Sequence, residues 1–343
     1  MTRDSGISPA HAAIPDIPAT GKESFENASP VLDVENLGIN IRENRAVDGV
    51  SLSIRAGEAL ALVGESGCGK SLSSLAVMGL LPDAAKIAEG SVRLGGREIA
   101  GLSPDEYNRL RGKAMSMIFQ EPQSSLNPLM RVGEQVMEGL LVHGMSDDAA
   151  RKRSLEMFEM VGIPAPETRF GQFPFELSGG MCQRIMIAMA LVSEPMLLIA
   201  DEPTTALDVT IQAQILDLMR RLMGRADTAL LLITHDLGVV AELADRVAVM
   251  YAGRIVEKAP VMDLFASPRH PYTRLLLSSI PGPATPPKTA LSTIKGTVPD
   301  IRHWPKACRF APRCPDCEPR CNEVAPPLTR SAPGHFTACW KAA

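Results

Sequence analysis

"ALALVGESGCGKSLSSLAVMGLL", residues 59–81, decides the fold. An apolar strand, Ala59 to Val63, runs into Gly64-x4-Gly69-Lys70-Ser71, and an apolar-faced helix follows. The pattern G-x-x-x-x-G-K-[ST] carries weight only between a strand and a helix, and this stretch supplies both. Its glycines let backbone N–H groups curl around phosphate oxygens, and the helix N-terminus favours negative charge. Gly64, Ser66, Gly67, Cys68 and Gly69 are therefore expected to cradle a nucleotide's phosphates. Lys70 is placed to reach the β- and γ-phosphates, and the Ser71 hydroxyl to bind Mg²⁺. The plain alternative is a Gly-rich turn ending in a surface lysine. Kinases, GTPases, helicases and transporters all use such loops, so the loop names a ligand and no task.

Downstream, "MLLIADEPTTALD" (196–208) reads as a buried parallel strand ending in two acids. Asp201 is expected to hold the magnesium, and Glu202 to polarise a water for attack on the γ-phosphate. "TALLLITHD" (228–236) is another buried strand, with His235 at its end and within reach of the γ-phosphate. In "FELSGGMCQRIMIAMALV" (175–192), Ser178 reads as the N-cap of a helix, with Gly179 and Gly180 leaving amides uncovered. Two phosphate-binding helix ends in one chain suggest a sandwich, each ATP held between two protomers.

The chain has 343 residues, 45% hydrophobic, enough for about two domains with a full core. A net charge of −4 argues against a nucleic-acid partner. Residues 1–30 are Pro-, Ala- and Ser-rich, lack the apolar core of a secretory signal, and read as a loose tail. No apolar run approaches the eighteen or more residues of a membrane span.

Taken together these residues resemble the ATP-binding subunits of ABC transporters: "GESGCGKS", Gln120 after "MSMIF", "LSGGM", "LLIADEP", "ALD" at 206–208, then His235. The resemblance implies an α/β P-loop NTPase core of the ABC type, with a mixed sheet and a helical subdomain. It makes Gln120 the hinge residue sensing magnesium and the attacking water. Residues 121–177 become the helical subdomain that contacts the membrane partner, and "VGEQVMEGLLVHG" (132–144) and "DDAARKRSLEMFEMVGI" (147–163) show the helical periodicity it requires. Ser178 and Gly180 would touch the γ-phosphate across the dimer, and Asp208 would bridge the two sites. Two departures stand out. Residues 31–56 contain no Phe, Trp or Tyr to stack on adenine, leaving Ile39, Ile41 or Arg42 for that face. Cys182 stands where relatives often carry arginine.

Beyond the core, "SPRHPYTRLLLSSIPG" (267–282) resembles the C-terminal extension of ATPases driving oligopeptide and dipeptide importers. This divides the chain into a tail (1–30), a nucleotide-binding domain (31–265) and an extension with clustered cysteines (266–343). It implies two permease subunits, a substrate-binding protein, and a second related ATPase or another copy of this chain. The expected place is the cytoplasmic face of the cell membrane. Nickel, glutathione and sugar importers of the same subfamily are the alternatives in cargo, and a non-transport ABC ATPase the alternative in class. Such non-transport proteins usually carry two cassettes or a long coiled coil, and neither is present.

Five of the seven cysteines lie in the extension, spaced Cys308-x5-Cys314-x2-Cys317-x3-Cys321-x17-Cys339. In a reducing compartment a disulfide framework is not expected, so the spacing points to metal. Four thiolates suit Zn²⁺ or iron–sulfur equally. The resemblance favours a [4Fe–4S] cluster on Cys308, Cys314, Cys321 and Cys339, with Cys317 an extra thiol.

Overall fold

A computed structural model describes residues 29–205, 208–280 and 293–342. The expected tail (through residue 28) and two residues of the "ALD" stretch, Ala206 and Leu207, fall outside the described residues. In chain order the strands are β1 (Leu32–Ile41), β2 (Asn44–Ile54), β3 (Ala59–Val63), β4 (Ala85–Leu94), β5 (Arg97–Glu98) and β6 (Met115–Ile118). There follow β7 (Leu197–Asp201), β8 (Ala229–Thr234), β9 (Arg246–Tyr251), β10 (Arg254–Pro260), β11 (Thr329–Ala332) and β12 (His335–Thr337).

Eight strands form the main sheet in the order β11-β12-β10-β9-β3-β8-β7-β6. The pairs from β9 through β3, β8 and β7 to β6 are parallel, whereas β9–β10, β10–β12 and β12–β11 are antiparallel. The sheet is mixed, as the resemblance implied. A smaller antiparallel sheet, β2-β1-β4-β5, packs against it. All five residues of β3 are buried, because both faces of the sheet are covered: Ala61 and Val63 point to one core, Leu60 and Leu62 to the other. Parallel pairing of β3 with β8, and of β8 with β7, puts the phosphate loop at the C-terminal end of β3 beside the ends of β7 and β8.

Between β6 and β7 the chain is helical, with helices at Val132–Val142 and Asp147–Met160, close to the periodic stretches of the sequence. The helix Gly179–Leu191 begins at Ser178, whose Oγ accepts the Met181 amide at 3.4 Å.

The extension, rich in proline and poor in apolar residues, builds no core of its own. β12 pairs with β10 and lengthens the nucleotide sheet. Tyr272 and Phe310, 0% and 1% exposed, enter the main core beside Tyr251, with ring centroids 4.8–5.4 Å apart. Buried Glu257 on β10 fastens this seam, accepting from the amides of Arg269 (2.7 Å) and His270 (3.0 Å) and pairing with His335 at 2.7 Å. Few large apolar residues were needed, because the core they complete belongs to the main sheet.

Candidate functional site

The phosphate loop is held in shape by what its glycines approach. A Cβ at Gly64 (φ +152°) would lie 2.2 Å from the Met250 carbonyl oxygen, and one at Gly69 (φ +107°) 2.8 Å from the Met250 side chain. A side chain at Gly64 would push the loop off β9, and one at Gly69 would be strained by its left-handed backbone. Lys70 opens the helix Lys70–Met78; its Nζ donates to the carbonyls of Gly64 (2.7 Å) and Glu65 (3.2 Å), so the cation is folded over the loop. Cys68 is buried with its sulfur 3.9 Å from Lys70 Nζ, and burial pushes its thiol up.

Ser66, Gly67, Gly69, Lys70 and Ser71 line a cleft of about 550 Å³ together with Gln120, Glu202 and His235. That volume suits a nucleotide-sized ligand. Asp201, at the end of β7 and 8% exposed, is hydrogen-bonded by Ser71. Burial raises its carboxyl above the usual range against the opposing pull of Ser71 and Lys70, leaving a buried acid that a cation would stabilise.

Glu202 is the hub of the cleft. Gln120 Nε2 and Thr205 Oγ1 each donate to its Oε2 at 2.9 Å, and His235 Nδ1 lies 2.9 Å from its Oε1. Burial pushes the carboxyl up, but the bonds from His235 and Thr205 outweigh it and the net shift is downward. The group is therefore ionised at neutral pH. Its backbone sits at φ +50°, a left-handed conformation costing a non-glycine residue about 1–2 kcal/mol. A bond from its amide to the Ile233 carbonyl (2.8 Å) locks that turn and aims the carboxylate into the cleft.

The remaining predicted residues lie elsewhere. Ser178, Gly179, Gly180 and Asp208 do not line this cleft. They form a patch of their own, in which Asp208 caps the helix Val209–Ala226 through the Ile211 amide (2.9 Å) and Ile211 lies against Gly180. Cys308, Cys314, Cys321 and Cys339 line one small cavity with Phe310 and Trp340, and Cys317 is exposed outside it. Burial pushes the thiols of Cys308, Cys314 and Cys339 up, Cys314 to about 11. Among the described residues no three His, Cys, Asp or Glu side chains stand close enough together to hold a metal ion.

Sequence reading missed two partners of the site. Thr205, in the "PTT" after the acids, bonds Glu202 directly. Tyr272, in the quoted "HPYT", accepts the Glu65 amide through its hydroxyl at 2.9 Å. The motif was visible; its reach across the fold was not.

Comparison with known proteins agrees with this geometry. The ABC transporter family pattern matches residues 47–205, and the oligopeptide/dipeptide transporter C-terminal region matches residues 256–321. The dipeptide transport ATP-binding protein DppD of Bacillus subtilis is 49% identical over 90% of this chain and 94% of its own. The oligopeptide transport ATP-binding protein OppD of the same organism is 49% identical over 90% of this chain and 88% of its own. A dimeric ATP-binding cassette solved with ADP and Pi superposes with a TM-score of 0.60 at 29% identity, over 67% of this chain and 98% of that one. The chain belongs to the ATP-binding subunits of ABC transporters, in the branch that carries the oligopeptide/dipeptide C-terminal region.

Proposed function

We propose that the chain hydrolyses ATP to power an ABC importer whose cargo is di- and oligopeptides. The observation that carries this is the convergence of Lys70, Ser71, Asp201, Gln120, Glu202 and His235 on one cleft, in a chain that also has the peptide-transporter C-terminal region. Lys70 holds the β- and γ-phosphates. Ser71, Asp201 and Gln120 would hold Mg²⁺, a fit supported by the Ser71–Asp201 bond and by the raised, buried Asp201 carboxyl. Glu202 orients the attacking water, with His235 toward the γ-phosphate. Ser178, Gly179, Gly180 and Asp208 serve the cleft of a second ATPase subunit, either another copy or a related chain.

Two permeases and a substrate-binding protein complete the complex, with this chain at the cytoplasmic face of the membrane. Region 121–177 docks on the permeases; Leu129 and Val142 within it are 85% and 71% exposed. Co-expression with the two permeases and binding protein, in vesicles, tests the whole reading. ATP hydrolysis is expected to rise when the binding protein carries a di- or oligopeptide. A rise only with nickel chelates, glutathione or sugars reassigns the cargo, and failure to co-purify with permeases overturns the transport role.

We also propose that Cys308, Cys314, Cys321 and Cys339 hold a [4Fe–4S] cluster, with Zn²⁺ the alternative. Four thiols share one cavity, a soft donor set that suits either group, and the resemblance to the peptide-importer ATPases favours the cluster. Bound there, the group would cross-link the extension's loops. Anaerobically purified protein is expected to contain about four irons per chain and absorb broadly near roughly 400 nm. Cys317→Ser should keep that iron and Cys314→Ser lose it; stoichiometric zinc without iron would sink the cluster.

A further inference from the structure

The extension touches the phosphate loop itself. Arg313 grips Glu65, the residue between Gly64 and Ser66, through two parallel bonds: Nη1 to Oε2 at 2.7 Å and Nη2 to Oε1 at 3.0 Å. The arginine side chain is 5% exposed and Glu65 28%. The other donors of Arg313 are committed too: Nε to the Lys295 carbonyl (2.9 Å), Nη1 to the Tyr251 hydroxyl (3.3 Å) and Nη2 to the Gly296 carbonyl (3.2 Å). A guanidinium fixed on so many sides has little freedom left, so it holds Glu65 in one place. Tyr272 pins the backbone of the same residue, accepting its amide at 2.9 Å. The Glu65 carbonyl in turn accepts from Lys70 Nζ at 3.2 Å. Side chain, amide and carbonyl of one loop residue are thus held by Arg313, Tyr272 and Lys70.

We propose that Arg313 is a positioning residue for ATP binding: the C-terminal extension clasps the phosphate loop through Glu65 and holds its amides, and Lys70, in the geometry that receives the phosphates. The position of the bond gives the reason. The loop's other anchors, Met250 against Gly64 and the Gly253 amide on the Cys68 carbonyl (2.9 Å), come from the sheet beneath. Between Gly64 and Gly67 the extension supplies the lateral restraint. Without it the glycines let the loop relax, and ATP must order it again on binding. The proposal rests on the reading that this loop binds ATP. Direct nucleotide binding by the unaltered chain tests that reading separately.

The experiment measures binding of a fluorescent ATP analogue, and KM and kcat for ATP, in full-length Arg313→Ala, Arg313→Lys, Glu65→Gln and Arg313→Ala/Glu65→Gln proteins. Loss of a buried charge-assisted pair should weaken binding by about tenfold, falling on KM more than on kcat. Arg313→Lys, which keeps charge without the fork, should lie between. The double variant should be no worse than either single one, since both remove one contact. A mere through-space effect of charge has another signature: Glu65→Gln would tighten ATP binding while Arg313→Ala weakened it. Opposite signs, additive losses, or an unchanged KM in Glu65→Gln each overturn the proposal. Should Arg313→Ala fail to fold, Glu65→Gln and Arg313→Lys decide alone, because neither empties the space that Arg313 fills.

Discussion

Glu202→Gln is expected to lower ATP hydrolysis by about two orders of magnitude or more while ATP binding persists, the scale a positioned general base contributes. Glutamine keeps the volume and the left-handed backbone of Glu202, and it can still bond Gln120 and Thr205. It cannot carry the negative charge that polarises a water, nor accept its proton. Against burial, the bonds from His235 and Thr205 hold the native carboxyl below its usual range, so it is ionised at neutral pH. With hydrolysis blocked and binding intact, the ATP-loaded form should accumulate as a closed dimer, visible as an ATP-dependent shift in size-exclusion chromatography. Steady-state hydrolysis and nucleotide retention on the purified variant check both halves. Near-normal turnover would remove Glu202 from the base role.

That hub was largely legible in the sequence because each of its parts ends a short apolar strand. In a parallel sheet, strand ends collect at one edge, so Gly64, Asp201 and His235 had to be neighbours once β3, β7 and β8 were adjacent. Ser178 was equally plain, since an N-cap is a local matter of one residue and the next turn of helix. What the sequence hid was long-range. Arg313 and Glu65 lie 248 positions apart, and nothing around either marks it for the other. The burial of Tyr272 and Phe310 was hidden for the same reason: a proline-rich segment with few apolar residues looks coreless when the core it completes is elsewhere. Spacing gave five clustered cysteines; the resemblance singled out four of them, and those four line one cavity that leaves Cys317 outside.

Mixing two inactive variants should restore activity. Lys70→Ala removes the cation proposed to hold the β- and γ-phosphates, and Gly180→Asp places a negative charge where the second subunit's γ-phosphate would sit. Each protein alone is expected to be nearly inactive, because every composite site then contains the defect. The reason lies in the separation within one chain: Lys70 lines the cleft, whereas Ser178, Gly180 and Asp208 lie outside it on an exposed patch. In the proposed twofold dimer each patch would face the other protomer's cleft. A heterodimer of the two variants has one site with both defects and one with neither. Random re-association of equal amounts makes half the dimers mixed, so roughly one quarter of all sites should become intact and hydrolysis should recover to about that level. Neither variant disturbs the core: Lys70 points into the loop, and a side chain at Gly180 meets only Ile211 at 3.4 Å. If the native partner is a related chain, mixing restores nothing and the unaltered chain itself stays nearly inactive until that partner is added. Full activity from a strictly monomeric species, measured across protein concentration, would defeat the shared site, because the residues of the patch and of the cleft could then not be serving the same ATP.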